Sequence, residues 1–425
     1  MVYVLNSYGQ PIMPTNRYGK VRRLLKNNLA KVVKRCPFTI MLLYESTNHT
    51  QPITLGVDAG SKIIGLSATT EDKELYASEV ELRNDIVKLL STRRELRCSR
   101  RNRKLRYRPS RFDNRVSSKR EGWLAPSIRH KVETHLRVIE DIQKILPITK
   151  IIVELASFDI QKINNPNIQG EEYQQGEQLG FWNVREYVLY RDNHICQCCK
   201  GKSKDKILNV HHIESRKTGG NAPNNLITLC ETCHNGYHKG VLQLPKSIKR
   251  GTKYADAAFM GIMRNSFYKK LKKRFPNTHI TYGYITKSSR IYNGLPKTHY
   301  IDARCISGNI NVIPFEYYYY CKKVRCHNRQ IHKCKIGKNN IKKLNQASYL
   351  VKGFRLFDKV LYNKEECFIF GRRSSGSFDV RNLKGETLNP GVSYKKLKLI
   401  EKRKTILIER RKAIPPITEA MGILA

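Results

Sequence analysis

The chain is poor in acidic residues and has no apolar run long enough to cross a bilayer. Its 425 residues include 35 Asp and Glu against 80 Lys and Arg. The longest apolar run, residues 38–44, is far shorter than the ~20 residues of a membrane-spanning helix. The start, MVYVLNSYGQPIMP, lacks the charged region and cleavage site of a signal peptide, so the 12 cysteines do not indicate a secreted disulfide protein. These absences predict a protein of a reducing cytoplasm with no membrane role.

Positive charge dominates the chain from end to end. The net charge of +45 and the pI near 10 exceed what solubility requires, and so much like charge opposes compact folding unless a polyanion is bound. Charged faces that contact only solvent usually mix the two signs. Because 40% of the residues are hydrophobic in a 49.4 kDa chain, two or three domains can bury cores. Composition therefore predicts a folded protein with a large nucleic acid partner.

Four cysteines have the spacing of a zinc site. Cys196 and Cys199 form one CxxC pair, and Cys230 and Cys233 form a second. Two such pairs close one tetrahedral, four-sulfur zinc site, which would pin a ββα unit too small to bury a core of its own. Such closed sites are structural. Cys198 lies within the first pair, fits no ligand spacing and is interpreted as a spare thiol.

Histidines lie between and after these cysteine pairs. His211 and His212 adjoin a strand-like run, so their side chains point to opposite faces, and one can bind metal while the other accepts a proton. His234 and His238 are four residues apart on a predicted helix, where both face one side and can hold one cation. Asn225 precedes an apolar pair. The alternative interpretation is a zinc ribbon that only binds nucleic acid.

This segment resembles the HNH endonuclease family. The resemblance implies that His212 is the general base that activates a water. It implies that His211 and His234 bind a catalytic divalent ion, with His238 as a further candidate ligand. Asn225 would brace the loop that carries His212. Hydrolysis of a phosphodiester needs this combination, because the nucleophile must lose a proton and a cation must neutralise charge on the scissile phosphate.

Three separated segments indicate a second centre. One apolar strand ends at Asp58 before a Gly-containing turn, and another ends at Glu154. His299 and Asp302 are three residues apart, on one face of a predicted helix. Alone, a strand that ends in Asp is as readily structural as functional. Together, three carboxylates and a histidine suit two divalent cations that clamp the attacking and leaving oxygens of a phosphodiester.

The second set resembles a RuvC-like nuclease of the RNase H fold. Asp58 would belong to its first motif, Glu154 to its second, and His299 with Asp302 to its third. The resemblance implies Mg²⁺ or Mn²⁺ at these residues and an HNH unit inserted between the second and third motifs. An insertion at a loop whose ends lie close together leaves the host fold intact. Two nuclease centres in one chain imply two strands to cut.

Arginine is concentrated between the first and second motifs. Residues 93–108 contain no Gly or Pro, so with phosphates to offset the repulsion they are expected to form one basic helix. Arginine binds phosphate bidentately and stacks on bases, which favours RNA binding over a localisation signal or a solvated face. A second helix, predicted at 128–146, has the apolar spacing of a core helix. The candidate nucleic-acid-binding residues of the basic helix are Arg93, Arg94, Arg97, Arg100, Arg101, Arg103, Lys104, Arg106 and Arg108.

The order of these segments, after a leader containing Pro11-Ile-Met-Pro14, is similar to that of the IscB family of compact RNA-guided nucleases. The resemblance covers essentially the whole chain, and Ile12 stands where the family's PLMP segment has Leu. It implies an α/β protein: an RNase H-like (RuvC) core split in sequence, an inserted zinc-bound ββα HNH domain, an arginine-rich bridge helix and a C-terminal small β-barrel. The implied bounds are 1–50 (PLMP-type N-terminal domain), 51–82 (RuvC-I), 83–115 (bridge helix), 116–180 (RuvC-II), 181–245 (HNH), 246–310 (RuvC-III), 311–350 (RNA-facing connector) and 351–425 (β-barrel that contacts the target-adjacent motif).

The same resemblance implies a function. The protein would bind a structured guide RNA (ωRNA) and cut both strands of double-stranded DNA beside a short adjacent motif, as a monomer within a ribonucleoprotein on the prokaryotic nucleoid. HNH would cut the guide-paired strand and RuvC the displaced strand. Arg22 and Arg23 would contact RNA, and Arg372 and Arg373 would contact DNA. The rival interpretations are a protein-only endonuclease of resolvase or homing type and a transposon-associated DNA-binding factor.

Overall fold

The computed structural model describes residues 1–102, 119–155, 167–215, 220–251, 254–325 and 348–414. The chain divides into two units, of which one comprises Met1–Ser157 with Phe259–Ala425 and the other Phe158–Ala258. The second unit therefore interrupts the first in sequence. None of the described helices is long and apolar enough to span a membrane.

The first unit begins with a small sheet and a helix. Its strands pair in the order β2-β1-β4-β3, and β1 runs parallel to β4. Val4, Val21 and Ile40 are buried between the sheet and the helix, which presents its charged residues to solvent. The elements are β1 (Val2–Leu5), β2 (Pro11–Thr15), α1 (Tyr18–Lys26), β3 (Ala30–Lys34) and β4 (Thr39–Leu42).

The next stretch supplies four strands of a larger sheet and two helices. The predicted strands that end near Asp58 and Glu154 are confirmed, as is the core helix predicted at 128–146. The predicted basic helix begins earlier than expected, at Ile86, and its described part ends at Asn102, so residues 103–108 lie outside the described chain. The elements are β5 (Thr54–Ala59), β6 (Ile63–Thr69), β7 (Glu74–Glu81), α2 (Ile86–Asn102), α3 (Pro126–Gln143) and β8 (Lys150–Glu154).

The inserted unit has a ββα arrangement at its centre. Its two strands pair antiparallel, and the second strand leads directly into a helix. The elements are α4 (Val184–Arg191), β9 (Leu208–His212), β10 (Leu226–Cys230) and α5 (Glu231–His238), with single 3₁₀ turns at Gly170–Gln174 and Pro223–Asn225.

The chain then returns to the first unit, where it forms a further sheet before β18 rejoins the central one. Five antiparallel strands pair in the order β16-β15-β14-β13-β17, an open order where a closed barrel was expected. Val360, Ile369 and Phe378 form their core. The elements are α6 (Ala255–Arg274), β11 (Thr278–Thr281), α7 (Gly283–Tyr292), α8 (His299–Ser307), β12 (Tyr317–Lys323), β13 (Lys359–Tyr362), β14 (Glu365–Arg372), β15 (Ser377–Arg381), β16 (Thr387–Ser393), β17 (Lys398–Glu401) and β18 (Ile406–Lys412).

Within the described ranges, the central sheet has seven strands in the order β11-β8-β5-β6-β7-β12-β18. β5, β6 and β7 are antiparallel neighbours, whereas β8 and β11 run parallel to β5. β12 lies within the segment expected to be an RNA-facing connector, and β18 lies within the segment expected to be a barrel. Both strands instead belong to the central sheet, where β12 pairs with β7 and with β18. The physical reason is that Tyr319 and Cys321 alternate with less buried residues and pack into the main core.

The two faces of the central sheet receive different helices. Leu55 and Val57 of β5 join the core formed with α3 and α6. Gly56 and Asp58 alternate with them and therefore face α8. A Cβ atom on Gly56 would lie 1.9 Å from the carbonyl oxygen of Ala303, and one on Gly65 of β6 would lie 1.9 Å from that of His299. These two glycines let α8 lie directly on the sheet.

We predict that Gly65→Ala lowers the stability of the first unit by about 1–3 kcal/mol, because the added methyl group must push His299 and the start of α8 away from the sheet. Thermal unfolding of the full chain measures the effect. The control is Gly261→Ala on α6, where a Cβ meets nothing within 4 Å and helix propensity favours alanine. An unchanged midpoint for Gly65→Ala would show that α8 does not lie this close to β6.

Candidate active and metal sites

The paired histidines of the inserted unit occupy opposite faces of β9. In the antiparallel pair with β10, His211 lies opposite Ile227 and His212 lies opposite Leu226. His211 is 5% exposed, whereas His212 is partly exposed. β10 ends at Cys230, where α5 begins, so the helix carries His234 and His238 back toward the buried face of β9. Successive side chains of a strand point to opposite faces, so His211 faces α5 and His212 faces away from it.

Three imidazoles meet on the face of β9 that is turned toward α5. The ligand nitrogens of His211, His234 and His238 all lie within 4.8 Å of one another. The His234 and His238 Nε2 atoms are 3.2 Å apart, because the two residues are one helical turn apart on α5. The ring of His211 stands nearly perpendicular to both, with centroid distances of 5.3 and 5.2 Å. This is the geometry of a three-nitrogen cation site.

The protonation state of His211 suits a metal ligand. Burial, together with the nearby His234 and His238, lowers the pKa of His211 to about 4. The ring is therefore neutral at pH 7 and keeps a lone pair available. Its Nε2 atom is buried and makes no hydrogen bond within the described part of the chain. Since a buried polar atom without a partner is costly, a bound cation fits the histidine set.

His212 has a different partner. Its Nε2 lies 3.0 Å from Oδ1 of Asn221, an oxygen that can only accept a hydrogen bond. Nε2 therefore carries the proton in this arrangement, and Nδ1 is left as the basic nitrogen. Asn221 was not singled out from the sequence, where it lies in an ordinary Gly-Gly-Asn turn. It fixes the tautomer of the residue expected to act as general base.

Asn225 joins the two ends of the loop that follows β9. Its Oδ1 accepts a hydrogen bond from the backbone N–H of Glu214, and its Nδ2 donates to the carbonyl oxygens of Glu214 and Gly220. The side chain is completely buried. Buried amides in proteins have their hydrogen bonds satisfied, and Asn225 achieves this with backbone groups of Glu214 and Gly220. These bonds help to fix the positions of the neighbouring His212 and Asn221.

The four cysteines come together as their spacing indicates. The sulfur atoms of Cys196, Cys199, Cys230 and Cys233 lie within 4.8 Å of one another, and three of these residues are buried. Hydrogen bonding from Ser203 lowers the pKa of Cys199 to about 6. Burial raises the pKa values of Cys230 and Cys233, as expected for sulfurs that need a cation to ionise. The set fits a tetrahedral zinc ion.

The second candidate centre lies on the central sheet. Asp58 and Glu154 are directly opposite each other on the parallel strands β5 and β8. His299 and Asp302 lie in the first turn of α8, which packs on the face that carries Asp58. His299 Nδ1 is 2.7 Å from Asp58 Oδ2. The fold therefore brings together residues that are up to 244 positions apart, from 58 to 302.

Burial and like charge shape this centre. The hydrogen bond to Asp58 raises the pKa of His299. Burial raises the pKa values of Glu154 and Asp302, and the charge of Asp58 adds to both shifts. Carboxylates held together in this way are stabilised by a divalent cation, which replaces their mutual repulsion with attraction. Among the described residues, only the four-cysteine and three-histidine groups have all ligand atoms within 4.8 Å, so the carboxylate set is more widely spaced.

Several neighbours of this centre carry no signal in the sequence. Glu79 on β7 accepts a hydrogen bond from the backbone N–H of His299. Arg290 on α7 forms an ion pair with Asp302, at 2.9 Å between Nε and Oδ1. Gly283 begins α7, and a Cβ there would lie 2.9 Å from Glu154 Oε1. A glycine inside a strand or against a carboxylate indicates close approach, but only the fold shows to what.

The candidate nucleic-acid-binding residues fall into three groups. Arg93, Arg94, Arg97 and Arg101 are exposed on α2, and Arg22 and Arg23 are exposed on α1. Arg100 belongs to α2, and Arg103, Lys104, Arg106 and Arg108 lie outside the described residues. Arg372 donates hydrogen bonds to the carbonyl oxygens of Ser348, Tyr349 and Phe354, and Arg373 to that of Pro390. Part of the hydrogen-bonding capacity of these last two residues is used within the chain.

Comparison with known protein families identifies the class. Residues 196–240 match the HNH endonuclease family, and residues 2–176 match the family described as RRXRR protein. The chain therefore carries an HNH endonuclease domain preceded by an RRXRR region, and the HNH nuclease expected from the motifs is confirmed. The HNH match begins at Cys196 and covers both the cysteine and the histidine sets. No curated protein matches the chain.

Solved structures similar to the chain include three structures of two Cas9 proteins. Streptococcus thermophilus Cas9 with the AGGA PAM is 12% identical with a TM-score of 0.28, covering 44% of this chain and 26% of that one. Its complex with the AGAA PAM is 13% identical, with a TM-score of 0.31 and coverages of 52% and 32%. The Type II-C Cas9 from Actinomyces naeslundii is 11% identical, with a TM-score of 0.25 and coverages of 61% and 60%. The chain spans less than two thirds of each, and these scores carry no conclusion about its fold.

We predict that the purified protein holds one zinc ion per chain at the four cysteines and keeps it through a mild chelator treatment that strips magnesium, because four-sulfur ligation is tight. Cys230→Ser should lose the zinc. Cys198→Ser is the matched control, since Cys198 lies in the same segment but outside the ligand group, and it should keep the zinc. Metal analysis by mass spectrometry measures both. Equal zinc in the two variants would exclude the proposed ligand set.

Proposed function

We propose that this chain is an RNA-guided DNA endonuclease of the IscB type, in which the HNH domain cuts the guide-paired strand and a RuvC-like centre cuts the displaced strand. The observation that carries the nuclease part is the division of labour on β9. His211 joins His234 and His238 in a cation site on one face, and His212 lies on the other face with one free ring nitrogen. Such a pair can supply both a cation and a base to one phosphodiester.

The HNH residues act as follows in this proposal. His212 removes a proton from a water through Nδ1, while Asn221 holds its Nε2–H. A divalent cation held by His211, His234 and His238 would neutralise charge on the scissile phosphate. Asn225 joins Glu214 to Gly220, and this link would hold His212 in position toward the phosphate. The four cysteines fix the start of α5 and thereby the position of His234.

The RuvC-like centre is supported by position and electrostatics. Asp58 and Glu154 lie opposite each other on parallel strands, and α8 presents His299 and Asp302 to the same place. Mg²⁺ or Mn²⁺ bound there would clamp the attacking and leaving oxygens of the strand. The insertion of the HNH domain between β8 and β11 keeps this host sheet continuous, because those strands are neighbours.

Guide RNA is the partner that the charge supports. The net charge of +45 favours a polyanionic partner, and Arg93, Arg94, Arg97 and Arg101 are exposed along a helix with no acidic residue in its first turn. The RRXRR match includes this helix. At the C-terminal end, Lys395, Lys396 and Lys398 are exposed, so contacts with the DNA backbone fall to them more readily than to Arg372.

We predict that His212→Ala abolishes cutting of one DNA strand and spares the other, while Asp58→Ala does the reverse, because each change removes the essential group of one centre. A duplex with a different label on each strand measures both cuts. The two variants are controls for each other. Loss of both cuts in either variant would show that the centres are not independent.

We predict that the protein purifies with one structured RNA, seen as a high ratio of absorbance at 260 to 280 nm and identified by sequencing. Arg94, Arg97 and Arg101 lie on one face of α2, and replacing all three by alanine should weaken RNA binding and flatten its dependence on salt, because fewer counterions are released. Replacing Lys269, Lys272 and Lys273 on α6 removes equal charge and serves as the control.

A protein purified free of RNA that still cuts DNA would favour the rival, a protein-only endonuclease. If the α2 and α6 variants lose RNA affinity equally, net charge and not this helix governs binding.

A further inference from the structure

We propose that Tyr282 and Tyr284 form a stacking platform for unpaired bases of the strand that enters the Asp58–Glu154 centre. The proposal rests on the RuvC-like activity proposed above and adds a substrate-binding subsite to it. The occupant is a single-stranded nucleic acid, held by base stacking without sequence preference.

The platform is built next to Glu154. Thr281 ends β11 and lies opposite Glu154 in the parallel pair with β8. Tyr282 follows directly, and Gly283 then begins α7 against the Glu154 carboxylate, 2.9 Å from the position a Cβ would take. The two tyrosines therefore flank a glycine that lies against the carboxylate. A base stacked on these two rings would therefore lie near Glu154 and the other residues proposed to bind metal.

The two rings are exposed and nearly parallel. Tyr282 is 49% exposed and Tyr284 is 72% exposed. Their centroids are 5.9 Å apart with an interplanar angle of 13°. Large aromatic residues are normally placed to bury their area, so two adjacent stacked rings left in solvent indicate a surface that binds something flat. Every base has a flat π-face and can extend such a stack.

Charge favours nucleic acid over an apolar protein surface as the occupant. Lys287 is exposed three residues after Tyr284, and this spacing puts both on one face of α7, where the ammonium can contact a phosphate beside a stacked base. The chain as a whole carries a charge of +45, which draws polyanions to any exposed site. An apolar docking face would lack this lysine.

The test uses the full chain in EDTA, so that binding is measured without cleavage. The probe is a short single-stranded DNA with one 2-aminopurine, whose fluorescence is quenched when the base stacks. The Tyr282→Ala, Tyr284→Ala double variant should lose the quenching and bind the oligonucleotide about tenfold more weakly, the loss expected for about one stacked base. The corresponding double Phe variant should keep both, because phenylalanine retains the stacking face.

Tyr292→Ala is the matched control. Tyr292 is 90% exposed at the other end of α7, away from Gly283, and its replacement should change neither the quenching nor the affinity. The single Tyr284→Ala variant guards against misfolding, because this side chain is mostly in solvent and its loss should leave the unfolding midpoint unchanged while still reducing the quenching. Quenching that survives both alanine variants, or that is lost in the Phe variant as well, overturns the platform.

Strand cleavage separates this proposal from the one on which it rests. If Asp58→Ala leaves both strands cut, the RuvC-like assignment fails, yet the EDTA measurement still decides whether the tyrosines bind bases. If the assignment holds, Asp58→Ala abolishes cutting of one strand. The double alanine variant should then slow cutting of that same strand and leave cutting of the other strand, by HNH, unchanged. Slowing of both strands equally would place the tyrosines outside the subsite.

Discussion

The close approach of α8 to the central sheet is the contact on which the carboxylate centre depends. Gly56 and Gly65 leave room for the backbone of Ala303 and His299, and any side chain at either position would occupy the space of the helix. Through this contact His299 reaches Asp58, and its own backbone N–H reaches Glu79. The sheet in turn holds Glu154 opposite Asp58. Because α8 packs directly on the sheet at these two glycines, four residues that are far apart in sequence come together in one centre.

The inserted unit also holds its candidate site residues in position, but with far fewer residues. Its described residues form only small apolar clusters, and the cysteines themselves take part in one of them. The four-sulfur group ties the segment before β9 to the start of α5, and the histidines extend from the strand and helix so fixed. A metal-stapled scaffold gives short-range rigidity that a small core alone does not supply. The two proposed centres therefore rest on different physical supports, packing in one and a four-cysteine group that fits a metal ion in the other.

The charge of the chain is compatible with these folded centres because it is kept on their surfaces. Arg22 and Arg23 of α1 and Arg93, Arg94, Arg97 and Arg101 of α2 are exposed, while the buried Arg304 is paired with Glu74. Near Glu154 the surface changes character, and exposed tyrosines stand beside a lysine. Basic surfaces bind the phosphates of a nucleic acid backbone, whereas exposed aromatic rings stack on its bases.

The sequence by itself determined the cysteine pairs, the strands that end near Asp58 and Glu154, the helices of His234 and His299, and the excess of positive charge, because spacing, periodicity and charge are local properties. It did not determine that Tyr319 lies in the central sheet, or that the chain's last strand returns there, because strand partners depend on contacts across hundreds of residues. Nor did it show Gly65, Asn221 or Glu79 as neighbours of the sites. Only the tertiary structure decides such neighbours, since a small or ordinary residue acquires its role from what packs against it.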